Sequence, residues 1–393
     1  MKRICFLMSS PFTVGGEQRV VTTLANFFEN KGYEVYFLLT HSNKLVDYNI
    51  YKLDKKVKII FMEEYNKLGH KILRKSFNFL KKINMKVNIL KYFLYLQKNI
   101  YCNYIDKKVL KKYINKYKFN CIIGLASEYS GMLAVLRKDI TGCKLIGWQH
   151  SCYNAYFKTR GRRFFNEEKF VKYMFENLDE YIVQTMSDYR EIFDEYGFKA
   201  KVIGNPNTFL TQENCKLDNK RFIAAGRFDS VKNFEGLIEA FYKFSLDNKE
   251  WKLYIFGDGK GKENCNNLIK KYKLENRVFL PGKSFNMKEE YMNSSIYLMT
   301  SKWEGWGMVV AEAMQFGLPV ISFDLPCIRE IFGKENCGIL VKKFDIEQYS
   351  VAMSEIIKNE ENLKIMSENA KKRIKNFDIN IIGEYWYNLI EGG

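Results

Sequence analysis

Short apolar runs recur along this chain at 3–8, 34–39, 57–62, 119–124, 144–148, 180–184 and 200–204. A second series follows at 222–225, 252–256, 277–280, 296–300, 319–323 and 338–341. Stretches of helical periodicity separate most of them, which is the pattern of parallel sheets with crossover helices. Phe234, Leu237, Ile238 and Phe241 form one such stripe at i, i+3, i+4 and i+7, with Asn233 placed to cap it. The last strand of the first series ends in "VIGNPNTF", residues 202–209, and a polar stretch, 211–220, precedes the second. Each half therefore reads as an independent doubly wound α/β domain. Ligands of such sheets bind beyond the carboxyl ends of the strands, and two facing sheets would form a cleft.

The length of 393 residues suits two domains, and 47% apolar residues can supply each with a core. Nine scattered cysteines without a C-x-x-C pair argue against a zinc site or a disulfide framework and fit a reducing cytosol. The apolar stretch 4–8 is too short for a signal peptide, and no window approaches a membrane span of about 20 residues. The expectation is a soluble protein on the cytoplasmic side.

Charge changes the picture in one place. Of a formal +18, the segment 65–118 holds fifteen Lys or Arg against one acid, Asp106. Its cations alternate with Leu73, Phe77, Phe79, Leu80, Val87, Ile89, Leu90, Phe93 and Leu94. A basic face beside an apolar one is expected to lie on an anionic membrane; a solvated lysine-rich helix is the plainer alternative. No recognition motif accompanies the charge, so nucleic acid is not expected as a partner.

Four strand ends carry candidate chemistry. "FIAAGRFDSVKN", 222–233, places Arg227 and Lys232 between a strand and a helix N-terminus, which suits a phosphate group, although 63 Lys and Arg make a chance pair easy. "VGGEQRV", 14–20, brings Gly15 and Gly16 to the start of a helix at 18–30, where they would leave N–H groups free for a ligand; a plain turn fits as well. His150, one of three histidines, ends the strand in "GWQHSCYN". In "SKWEGWGMVVAEAM", 301–314, Glu304 lies in an exit loop, a helix starts near Gly307, and Glu312 follows Glu304 by about two turns. By helical rise the two carboxylates are within roughly 10 Å, about the span from a donor sugar to a nucleotide ribose. The helix N-terminus between them would face a diphosphate.

These stretches together resemble glycosyltransferase family 4. "EGWGMVVAE" matches its E-x7-E motif, and "GRFDSVKN" resembles its G-R-x-x-x-x-K-N phosphate motif. "GG" after the first strand, "FGDG" at 256–259, "FLPGKS" at 279–284 and "GLPVIS" at 317–322 fall in family order. The resemblance implies a GT-B fold of two Rossmann-like domains. The first spans 1–205, the second, 206–374, holds the nucleotide, and a terminal helix within 375–393 crosses back onto the first.

The resemblance also implies site roles. Arg227 and Lys232 would bind the diphosphate, and Glu304 the donor-sugar hydroxyls, near the amides of Trp306, Gly307, Met308 and Val309. Glu312 would accept from the ribose. Gly282, Lys283 and Ser284 would border the base, Gly15 and Gly16 would meet phosphate or acceptor, and His150 would lie near the reacting sugar. The chain has no Asp-x-Asp, so no metal or other cofactor is expected, and two fixed cations can stabilise the leaving group in its place.

The expected activity is retaining transfer of a hexose or N-acetylhexosamine from a nucleotide sugar, UDP by default in the family. The acceptor would be a lipid-linked saccharide, lipopolysaccharide or capsular polysaccharide, reached by peripheral attachment to the cytoplasmic membrane. A soluble transferase of the sucrose, trehalose or glycogen type and a catalytically silent partner of another transferase are the competing readings.

Overall fold

The two series of apolar runs form two all-parallel sheets in the computed structural model. It describes residues 1–40, 46–87, 93–160, 164–208, 211, 213–284 and 286–392, with the side chains of 66 and 85–87 outside that set. Ile89, Leu90, Lys91 and Phe209, and the side chains of Lys86 and Val87, thus lie outside the described residues.

The first sheet contains β1 (Arg3–Met8), β2 (Glu34–Leu39), β3 (Lys58–Phe61), β4 (Cys121–Leu125), β5 (Lys144–Trp148), β6 (Glu180–Val183) and β7 (Lys201–Val202), in the order β3-β2-β1-β4-β5-β6-β7. The second contains β8 (Arg221–Ala225), β9 (Lys252–Phe256), β10 (Val278–Gly282), β11 (Ile296–Met299), β12 (Val320–Phe323) and β13 (Gly338–Val341), in the order β10-β9-β8-β11-β12-β13. Inner strands such as β4 and β11 are buried along their whole length, which is why they read as unbroken apolar runs. The one proline in a strand, Pro281, lies in β10 at a sheet edge, where a missing N–H costs no ladder bond. Strand order reverses between β1 and β4 in one sheet and between β8 and β11 in the other. These are the points where open α/β sheets bind ligands.

Residues 1–206 and 379–393 form one compact unit and 207–378 a second. The terminal helix Ile379–Glu391 packs in the first unit: Trp386, fully buried, meets the Trp148 ring edge-on at 4.6 Å. Gly383 allows the close approach, because a Cβ there would stand 2.6 Å from the Phe27 ring of the helix Gly16–Asn30.

One local expectation needs correction. Asn233 precedes the helix Phe234–Ser245 but takes a left-handed conformation (φ 54°) and makes no side-chain cap. Its carbonyl instead accepts from the Thr300 hydroxyl at 3.0 Å, which fixes the turn after β8 against the end of β11. The described residues of 65–118 form three helices, Leu68–Val87, Leu94–Tyr101 and Tyr104–Tyr117, and the basic charge is divided among them. The third buries Val109, Leu110 and Ile114, and its Lys111 and Lys112 pair with Asp139 and Glu64. Part of the basic charge is therefore structural.

Candidate functional site

The strand ends of the second sheet are tied together by glycines. The Gly226 N–H donates to the Phe256 carbonyl at 2.9 Å, Phe228 N–H to Asp258 at 2.9 Å, and Gly257 N–H to Gly282 at 2.8 Å. Gly257 (φ 138°) cannot be replaced: a Cβ would fall 1.8 Å from the Gly226 oxygen. This is the physical content of "FGDG". The motif lets the loops after β8, β9 and β10 meet backbone to backbone.

Lys232 is placed by that framework. The Asp229 carboxylate accepts the N–H groups of Val231 and Lys232 at 3.0 and 3.2 Å, an Asx turn that folds the loop back. The lysine stem then runs over Gly226, whose missing side chain leaves it room. Its ammonium reaches Glu304 Oε1 at 2.6 Å, with both side chains about five-sixths buried (17% and 16% exposed). The loops at the switch point between β8 and β11 are thereby bridged by a cation and an anion. Arg227 differs: its side chain is 84% exposed and meets Asp229 at 3.4 Å.

Gly307, at φ 89°, turns the chain into the helix Met308–Gln315. The first N–H groups of that helix, Met308 and Val309 among them, lie where intrahelical acceptors run out. Trp306 is buried against Phe377 (ring centroids 5.1 Å apart), and its indole N–H has no partner among the described residues. Glu312, 5% exposed, accepts from the Tyr291 hydroxyl at 3.2 Å, which helps a carboxylate persist within an apolar helix. Burial pushes the Tyr297 phenol well up; Glu312 and then Glu304 add to the rise, against a backbone hydrogen bond that opposes it. One buried phenol thus senses both carboxylates. Gly282 takes φ 94° at a register shift in β10, Lys283 is exposed, and the Ser284 hydroxyl accepts from Asn286 N–H at 3.0 Å.

In the first unit Gly15 departs from expectation. Its N–H donates to the Tyr51 hydroxyl at 2.8 Å and so is not free, and its φ of 179° is ordinary extended backbone. Gly16 opens the helix Gly16–Asn30. His150 follows β5, and its ring lies 4.3 Å from Trp148, which the terminal helix backs through Trp386. Burial lowers its pKa to about 3, and Nε2 has no hydrogen-bond partner among the described residues, so the ring is neutral at pH 7.

Arg227, Lys232, Glu304, the 306–309 turn and Glu312 thus gather in the second unit, while Gly15, Gly16 and His150 belong to the first. Pattern reading missed Tyr291, Tyr297, Thr300 and Tyr51. None carries a local signal, because each acts across the fold. Asp229 was missed as well, although an aspartate just before a helix start is the local signal of an Asx turn.

The architecture defines a class, two Rossmann-like domains as in the GT-B fold. Residues 207–373 match the family model described as Glycosyl transferases group 1. An uncharacterized glycosyltransferase of Haemophilus influenzae is 27% identical over 395 residues, 99% of this chain and 100% of that protein. A Campylobacter jejuni protein named as a GalNAc-alpha-(1->4)-GalNAc-alpha-(1->3)-diNAcBac-PP-undecaprenol alpha-1,4-N-acetyl-D-galactosaminyltransferase is 26% identical over 397 residues, covering 99% and 98% of the two chains. Among solved structures, a TarM mutant of S. aureus in complex with Fondaparinux, alpha-GlcNAc-glycerol and UDP superposes with TM-score 0.77 at 15% identity, over 100% of both chains. The chain is a glycosyltransferase.

Proposed function

We propose that this enzyme transfers a hexose or N-acetylhexosamine from a UDP-sugar, with retention of anomeric configuration, to a membrane-linked saccharide. The carrying observation is the Lys232–Glu304 pair at the β8/β11 switch point, with Glu312 held eight residues further on. Lys232 and the exposed cation of Arg227 are suited to a diphosphate, and their charge stabilises it as the glycosidic bond breaks. Glu304 orients sugar hydroxyls beside the Gly307 turn, and Glu312 accepts from the ribose. Gly282, Lys283 and Ser284 border the base. On the acceptor side, neutral His150 contributes a hydrogen bond rather than a charge, near the reacting sugar. The departing phosphate assists deprotonation of the acceptor hydroxyl on the same face. Glu304 acts as a binder, because a two-carboxylate covalent route needs a second carboxylate about 5–5.5 Å away across the bond.

A carrier-linked acceptor is favoured by the activity for which the Campylobacter relative is named and by the cations of 67–82. Lipopolysaccharide core and capsular repeats are the same class of acceptor. No helix among the described residues is long and apolar enough to cross a membrane, so attachment would be peripheral.

A panel of UDP-sugars is assayed for hydrolysis and then for transfer, with the product anomer read by NMR and EDTA in a parallel arm. Turnover that persists in EDTA with retained configuration is the expected result. Inverted product, or activity abolished by EDTA and restored by manganese, overturns the mechanism.

A further inference from the structure

The helix Leu68–Val87 is inside out. Its inward face includes half-buried Leu73 and Phe77 but is held by polar contacts: His70 (2% exposed) pairs with Asp106 at 2.8 Å, Arg74 with Glu128 at 2.6 Å, and Lys81 donates to the Tyr101 hydroxyl at 2.7 Å. Tyr101 in turn donates to the buried Glu167. Asp106 also closes the capping box of the helix Tyr104–Tyr117, so the His70 contact is locked at both ends. Asn84, 1% exposed, extends the same face.

The outward positions are apolar. Leu68 is 75% exposed, Ile72 55%, Phe79 63% and Ile83 38%. At about 100° per residue these four fall within an arc of roughly 60°, and Leu80 lies to one side of it. On the other side run Lys71, Lys75 and Lys82, all exposed, with exposed Lys67 just before the helix. A helix on a water-soluble surface turns its apolar stripe inward. Here one ion pair and two hydrogen bonds hold the opposite face down, so the exposed apolar stripe is presented outward.

We propose that this face of Leu68–Val87 docks in the plane of an anionic bilayer. Leu68, Ile72, Phe79 and Ile83 enter the headgroup–acyl boundary, and the flanking lysines lie among anionic headgroups. The lysine row supplies the charge complementarity that selects a lipid surface over a second copy of this strongly basic chain. The inference rests on the membrane-linked acceptor reading for its purpose but not for its chemistry. It also alters what salt should do. Adsorption through lysines alone is screened away, whereas an inserted apolar stripe leaves a salt-resistant remainder.

The full chain is mixed with phosphatidylglycerol vesicles, and separately with phosphatidylcholine vesicles, at low and high salt. Partitioning is read by co-sedimentation. Phe79→Trp serves as depth probe, its signal taken as the difference from the wild type under the same conditions, because both share five native tryptophans. The expected results are a blue shift and quenching by brominated lipid with anionic vesicles, and residual binding at high salt. Leu68→Ser/Ile72→Ser/Phe79→Ser, checked for native melting, should lose partitioning on the order of 100-fold. Lys67→Gln/Lys71→Gln/Lys75→Gln/Lys82→Gln should lose the preference for anionic lipid.

An unshifted, unquenched Phe79→Trp spectrum overturns the proposal, as does concentration-dependent dimerisation abolished by the serine variant without lipid. UDP-sugar turnover of the wild type without vesicles reads the enzymatic proposal separately. Turnover without docking refutes this inference alone, and docking without turnover refutes the other.

Discussion

Glu304→Gln should tighten the binding of sugarless UDP while it impairs transfer. In the protein Glu304 Oε1 lies 2.6 Å from the Lys232 ammonium. A phosphate oxygen held by that ammonium at about 2.8 Å would come within roughly 5.4 Å of the carboxylate. Two unit negative charges at that distance repel by about 0.8 kcal/mol in water and about 3 kcal/mol at an effective dielectric of 20. The site opens to solvent on the Arg227 side, so a value near the lower end, about 1 kcal/mol, applies. The substituted glutamine keeps the side chain's shape and an acceptor but removes the charge, and UDP should bind about fivefold tighter. The intact donor differs, because its sugar hydroxyls would use the carboxylate as a charge-assisted acceptor while positive charge develops at the reacting carbon. Turnover should therefore fall on the order of 100-fold. Calorimetric titration of UDP into both proteins, beside steady-state kinetics with the sugar donor, reads both quantities. If Glu304→Gln weakens UDP threefold or more, Glu304 is not a neighbour that the phosphate must tolerate, and the diphosphate lies elsewhere.

Glu312→Gln should weaken UDP and the donor alike, by about 1–3 kcal/mol, because a ribose contact persists through the reaction; a fall in kcat with unchanged UDP affinity would contradict this. Gly257→Ala should cost about 3 kcal/mol or more of stability in urea melts, since its Cβ would overlap the Gly226 oxygen, whereas Gly32→Ala, left-handed but with nothing within 4 Å, should cost only about 1–2 kcal/mol. Equal costs would show that the strand-end glycines are not in contact. His150 titrates near 6.5 when unfolded and at about 3 when folded, so the unfolded chain binds the extra proton in between and stability falls as pH drops from about 6.5 toward 3. His150→Gln should remove that part of the acid dependence; thermal melts that keep the wild-type slope would place the titration elsewhere.

The strands and the E-x7-E loop were legible because they depend on local pattern. Strands buried on both faces must be apolar throughout, and a glycine with positive φ beside a helix start leaves its mark at fixed spacing. The charge on 65–118 was visible in the same way, but its partition was not. Nothing local says that Lys111 and Lys112 meet Asp139 and Glu64 while Lys71 and Lys75 face outward.

Periodicity also yields a helix with two faces and no sign to say which is inside. The default places the apolar face inward, since burial of apolar surface drives folding. For Leu68–Val87 the default fails, because partners from distant sequence, Asp106, Glu128 and Tyr101, receive its polar face. Removal of one partner should therefore matter more than its surface count suggests. Asp106→Asn would leave His70 with a neutral partner and weaken the capping box at once, loosening both helices. Amide exchange across 68–84 and 104–117 should rise together in that variant. Exchange that rises in one helix alone would show that the buried pair does not join them.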